Sequence, residues 1–186
     1  MERTARPRPA NDPFARFRRE HRGVLGRLDR LEDAMLLKRP TRASETLLRE
    51  AVAHFERQFA THMAAEDAVL FPAVGASFPE ARETLAPLAD EHVVLRSMLV
   101  TLQQTLDQPR DRARDEQLVV QTRDLVDLLR IHIEKEEAVV FALAERVLRP
   151  RGVRELSQRL RPFIHPGRTA TPTRRTTRRQ PKGTHS

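Results

Sequence analysis

One pattern of three polar residues occurs twice in this 186-residue chain. In the first half, Glu20–His21 is followed, 41 residues beyond that His, by His62-x-x-x-Glu66-Asp67. In the second half, Glu91–His92 is followed, 40 residues beyond, by His132-x-x-x-Glu136-Glu137. Each pattern interrupts an apolar stripe, so four imidazoles and two carboxylates are directed at a core where unpartnered polar groups are expensive. Divalent cations satisfy such a set: imidazoles bind terminally, carboxylates bridge two metals, and the two Glu partly offset the charge of two dications. With no Cys in the chain, thiolate sites, zinc fingers and disulfides are excluded, and nitrogen and oxygen donors suit iron best, ahead of manganese or zinc.

The elements that must carry these residues are helices. On a helix, His at i and Glu at i+4 lie about 40° apart and about one turn apart, so both reach one small cluster. Asp12–Pro13 reads as a cap followed by Pro in the first turn of a helix running to about Lys38, with Phe14, Phe17, His21, Leu25, Leu28 and Leu31 inward. A second helix is expected from Thr41 or Ser44 to about Val74, ended by Pro72, Gly75 and Pro79, with Leu48, Phe55, Phe59, His62, Glu66, Val69 and Ala73 inward. A third lies between Pro79 and Gln108, and Pro87 predicts that its first turns are irregular or form a separate short helix. A fourth spans about Arg112 to Leu148, with Val140, Leu143 and Val147 on its inner stripe beyond Glu136. A fifth, roughly Val153–Leu160, caps the assembly. The expected fold is all-α, an up-down-up-down four-helix bundle built of two similar hairpins.

Charge and composition bound the rest. Of the net charge of +8, residues 166–186 carry +6 and residues 1–12 carry +1, leaving residues 13–165 nearly neutral. The expected organisation is a disordered leader (1–12), a bundle (13–165) and a disordered Arg-rich tail (166–186). That tail is read first as a solubilising end and second as a weak, non-specific contact for nucleic acid or anionic surfaces. It holds no aromatic for base stacking. The longest apolar runs, Ala68–Val74 and Ala138–Ala144, have seven residues, too short for a membrane span, and no signal-peptide core is visible, so a cytoplasmic protein is expected. The lack of Tyr excludes tyrosyl-radical chemistry. The pattern does not define an oligomeric state.

His21, His62-x-x-x-Glu66, His92 and His132-x-x-x-Glu136 together resemble the haemerythrin-like family, also called the HHE cation-binding domain, over roughly residues 13–148. The resemblance implies two iron ions bridged by an oxo or hydroxo group. His21 and His62 would bind one iron, His92 and His132 the other, and Glu66 and Glu136 would bridge. Oxygen-carrying members have a fifth His on the third helix. Here Leu88 and Arg96 stand four residues either side of His92, so the chain is similar to the four-His bacterial members.

Two functions follow from that resemblance. One is a protein that binds or responds to O2, NO or peroxide in redox or nitrosative stress. The alternative is a di-iron redox enzyme, catalase- or peroxidase-like or NO-reducing, or an iron donor for iron–sulfur repair. A bundle holding zinc or no redox metal is a third reading.

The neighbours of the six residues have blander roles. Glu20, Glu91, Asp67, Glu134 and Glu137 are expected mostly at the surface or behind the ligands, with Asp67 and Glu137 able to orient a His. His54 lies about 80° off the stripe and is expected at the rim. Arg96 is expected to form a rim salt bridge, and the Phe residues around the site pack the core.

Overall fold

The computed structural model describes residues 13–35 and 40–164. The expected leader, the far end of the first helix and the Arg-rich tail lie outside these residues. The described residues form five helices and no strand: α1 (Pro13–Met35), α2 (residues 42–77), α3 (Ala81–Leu106), α4 (residues 112–147) and α5 (Pro150–Ile164). Helices α1 to α4 pack in a ring, each against its two sequence neighbours and α4 back on α1. The expected four-helix architecture and its capping helix are present. No helix among the described residues is long and apolar enough to cross a membrane.

The connections are specified by local chemistry. The Thr41 hydroxyl accepts from the Ser44 backbone N–H at 3.1 Å while the Thr41 N–H donates to Ser44 Oγ at 2.8 Å, a reciprocal cap that starts α2. The Asp111 carboxylate accepts from the Arg114 N–H at 2.8 Å and starts α4. At this end of the bundle, buried Arg114 donates to both Glu45 oxygens, at 2.8 and 3.0 Å, and to the Thr105 and Leu106 carbonyls that end α3.

The core divides in two. Val24, Leu28, Leu48, Phe55, Leu95, Leu125 and their neighbours fill one end, and Phe14, Phe17, Leu70, Leu85, Phe141, Leu156 and theirs fill the other. Helix α5 closes the second end with Leu156 and Leu160.

Several expectations are corrected. Pro87 neither breaks nor delays α3, which is continuous from Ala81; Pro87 removes only one amide donor, and both it and Glu83, four residues before, are exposed. Helix α2 continues through Pro72 and Gly75 to Ser77. Pro72 cannot donate to the Ala68 carbonyl, and Arg159 of α5 reaches that oxygen at 3.4 Å instead. The capping helix is longer at both ends than Val153–Leu160.

A further difference is one of phase. Helix α2 contains π-helical turns at Phe55–Phe59 and Glu66–Leu70, and α4 contains one at Glu136–Phe141. A π turn takes in one extra residue and shifts every later side chain by about a 100° step. Beyond Glu66, Val69 is buried as expected and is followed by Leu70, Phe71 and Val74 rather than Ala73; beyond Glu136, Val140 is buried as expected and is followed by Phe141, Ala144 and Leu148 rather than Leu143 and Val147.

Candidate metal centre

Between the two apolar ends lies one polar layer. His21 of α1, His62 and Glu66 of α2, His92 of α3, and His132 and Glu136 of α4 meet there, each at most 1% exposed. The structure thus brings all six residues singled out in the sequence into one cluster. The π turns begin at Glu66 and Glu136, so the local widening of each helix coincides with its inward carboxylate.

The imidazoles face each other in two pairs. His21 and His62 place their Nε2 atoms 2.9 Å apart, and His92 and His132 place theirs 3.0 Å apart. Glu66 offers Oε1 to His62 at 3.2 Å and Oε2 to His92 at 3.7 Å. Glu136 offers Oε2 to His21 at 3.1 Å and Oε1 to His132 at 3.0 Å and His92 at 3.4 Å. Each carboxylate therefore presents a separate oxygen to each histidine pair.

The opposite edge of every imidazole faces a second carboxylate. His62 Nδ1 lies 2.8 Å from Glu20, His132 Nδ1 3.0 Å from Glu91, His92 Nδ1 2.7 Å from Asp67 and His21 Nδ1 3.1 Å from Glu137. These acceptors hold the ring proton on Nδ1 in the neutral imidazole and leave the Nε2 lone pair directed inward. Two lone pairs facing at about 3 Å repel unless a cation lies between them. Cations in turn brace three of the outer acids: Arg16 on Glu20 at 2.6 Å, Lys135 on Glu91, and Arg96 on Asp67 at 3.4 Å.

The inner carboxylates carry the same signature. All four oxygens of Glu66 and Glu136 are buried without a hydrogen-bond partner. Burial and the neighbouring Glu136 carboxylate push the Glu66 acid well above the usual range. Burial presses on Glu136 too, but His132, His21 and His92 outweigh it and hold that acid well below its usual range. Without added positive charge the layer keeps one carboxylate ionised; a bound dication would keep both so. His21, His62, Glu66 and Glu136 offer ligand atoms close enough for one ion, as do His92, His132 and Glu136. The donor set fits a bound metal.

Aromatic rings wall the layer from water. Phe141 stacks on His21 at 5.4 Å and Phe71 on His92 at 5.6 Å, interplanar angles 11° and 12°. Phe59 stacks on His62 at 5.1 Å and Phe17 meets its edge at 5.0 Å.

Other sequence candidates fall outside the cluster. His54 packs against the Phe55 ring edge, half-buried and away from the layer, with its pKa lowered by burial and by Arg27 and Arg57. Glu134 is exposed. The sequence reading understated Glu20 and Glu91, each of which holds a histidine of its own hairpin, whereas Asp67 and Glu137 hold those of the other. The signal was present: an acid precedes both first-helix histidines and follows both inner glutamates.

No curated protein and no solved structure matches the chain. A family model, the hemerythrin HHE cation binding domain, matches residues 12–144, which include all six residues of the layer. With most of its length matched and a histidine–glutamate cluster able to hold a metal at its centre, the chain belongs to the hemerythrin HHE cation-binding family.

Proposed function

We infer that the chain is a non-haem di-iron protein that binds or responds to O2, NO or peroxide, with His21, His62, His92 and His132 as terminal ligands and Glu66 and Glu136 as bridges. The observation that carries this reading is the division of each inner carboxylate, one oxygen toward His21 and His62 and the other toward His92 and His132. When bound, two irons would supply electrons to a small oxidant at positions the six side chains leave open. The protein's part is to hold the donors: outer acids fix the four ring tautomers and raise the basicity of Nε2, and the Phe walls keep water out. The sulfur-free donor set favours iron over softer-ligand metals.

Reactivity toward peroxide or NO is the second reading. The six buried residues include no uncommitted acid or base, which favours binding or simple disproportionation over chemistry needing a dedicated proton donor.

Metal analysis with an optical spectrum tests the proposal. About two irons per chain with charge-transfer bands, both lost in Glu66→Ala/Glu136→Ala, is the expected result. No iron after anaerobic reconstitution would overturn it. A long-lived reversible O2 adduct would identify a carrier, and turnover of peroxide or NO an enzyme.

A further inference from the structure

The two halves of the bundle differ in one telling place. Aligning His21 with His92 and His62 with His132 sets Arg18 against Ala89 and Glu145 against Gly75. Between α1 and α4, the Arg18 guanidinium lies over the Phe141 ring at 5.5 Å and donates to Glu145 at 2.7 Å, covering the ring stacked on His21. Between α2 and α3 both covering side chains are missing. A cavity of about 640 Å³ opens there beside Phe71, the ring stacked on His92. That volume is within the range, roughly 300–1,000 Å³, of sites that take small organic ligands.

The lining has one character at its floor and another at its rim. Phe71, Leu85, Ala86, Ala89 and Val93 supply apolar surface. Arg82 and Arg96 supply positive charge, opposed by Asp67, which is engaged with His92 and Arg96, and by Asp90. The Arg82 guanidinium is paired with no described residue. Arg96 holds only Asp67, with its two nitrogens at 3.4 and 3.5 Å, longer than the ~2.8 Å of a good charge-assisted bond.

We propose that this cavity binds a small amphipathic carboxylate, its apolar body against Phe71 and the Ala86–Ala89 floor and its carboxylate held by Arg82 and Arg96. The site is coupled to the metal layer through Asp67, which accepts from His92 Nδ1 at 2.7 Å and also holds Arg96. A ligand that draws Arg96 away leaves the Asp67 charge directed at His92 alone and makes that imidazole a stronger donor. This coupling rests on the di-iron reading; the binding does not.

Calorimetric titration of the full chain with octanoate, as purified and after chelation, is the test. Saturable binding is expected, weakened about tenfold or more by Ala89→Arg, which restores the covering guanidinium of the other half. Arg82→Ala, at an exposed helix position, should weaken it by about threefold or more, and Asp90→Asn, which removes an opposing charge from the rim, should tighten it. Octylamine, with the same body and opposite charge, should bind far more weakly. No binding of octanoate, equal affinity for octylamine, or wild-type affinity in both Ala89→Arg and Arg82→Ala overturns the site.

For the coupling, saturating octanoate should shift the optical bands of the iron-loaded wild type but not those of Ala89→Arg. Binding without that shift overturns the coupling alone. A chain that takes up no iron overturns the di-iron reading, and the calorimetry still decides the cavity.

Discussion

Glu137 accepts a hydrogen bond from His21 Nδ1 at 3.1 Å across 116 positions of sequence, joining the last bundle helix to the first. Asp67 does the same for His92 between the middle helices, so the pairing closes a two-membered cycle of hairpins. Such acids set tautomer and basicity, and their loss weakens metal binding by about 10–100-fold. Glu137→Ala should do so in a chelator competition, whereas Glu134→Ala, exposed three positions away, should not.

The inner carboxylates trade stability for a metal. Both Glu66 oxygens are buried without a hydrogen-bond partner, 3.2 Å from the nearest imidazole nitrogen. Without metal, burial and Glu136 make Glu66 take up a proton that the unfolded chain does not hold, a cost at neutral pH; a Gln amide is neutral in both states and can donate to an Nε2 lone pair. Glu66→Gln should therefore stabilise the chelated protein by about 1 kcal/mol and destabilise the metal-loaded one. Thermal melts of both forms read the opposite signs, and a loss in both would contradict the assignment.

Acid should loosen the opposite end of the bundle before the metal layer is considered. Hydrogen bonds from Arg114 outweigh burial and, with Arg49, lower the Glu45 pKa to about 2 from 4.5. A folded-state pKa below the unfolded one means the pair stabilises fully above about pH 4.5 and is lost as pH falls toward 2. Chelated wild type should lose stability across that window, and Glu45→Gln should start lower and show a flatter profile. Arg114→Ala should cost about 3 kcal/mol by denaturant unfolding at pH 7, because it removes the buried guanidinium from the Thr105 and Leu106 carbonyls and leaves Glu45 with Arg49 alone.

Pro87 leaves one amide donor missing in the second turn of α3. It is exposed and lines no part of the metal layer. Pro87→Ala should restore that bond and stabilise the chain by about 1–3 kcal/mol with iron content unchanged. Unchanged or lower stability would mean that the proline fits its turn better than the lost bond implies.

Much of this protein was legible in its sequence because helical period and local caps are nearest-neighbour effects. The Leu and Phe stripes placed four helices, Thr41 and Ser44 marked where one of them starts, and the twice-repeated His and His-x-x-x-Glu pattern placed six polar residues on inward faces. Tertiary structure decided what those rules cannot express. The π turns at Glu66 and Glu136 shift the helix phase by one residue, since a widened turn is selected by what its carboxylate meets across the core rather than by its own residues. The partners of Glu20, Asp67, Glu91 and Glu137 likewise lie on other helices, so period alone left these acids at the surface or behind the ligands, with only Asp67 and Glu137 singled out as able to orient a His. The cavity at Ala89 and Gly75 is decided in the same way. A small residue is silent in a helical pattern, and the facing helix decides what it becomes: the Arg82 side chain packs over Gly75, while the space beside Phe71 at Ala89 stays open.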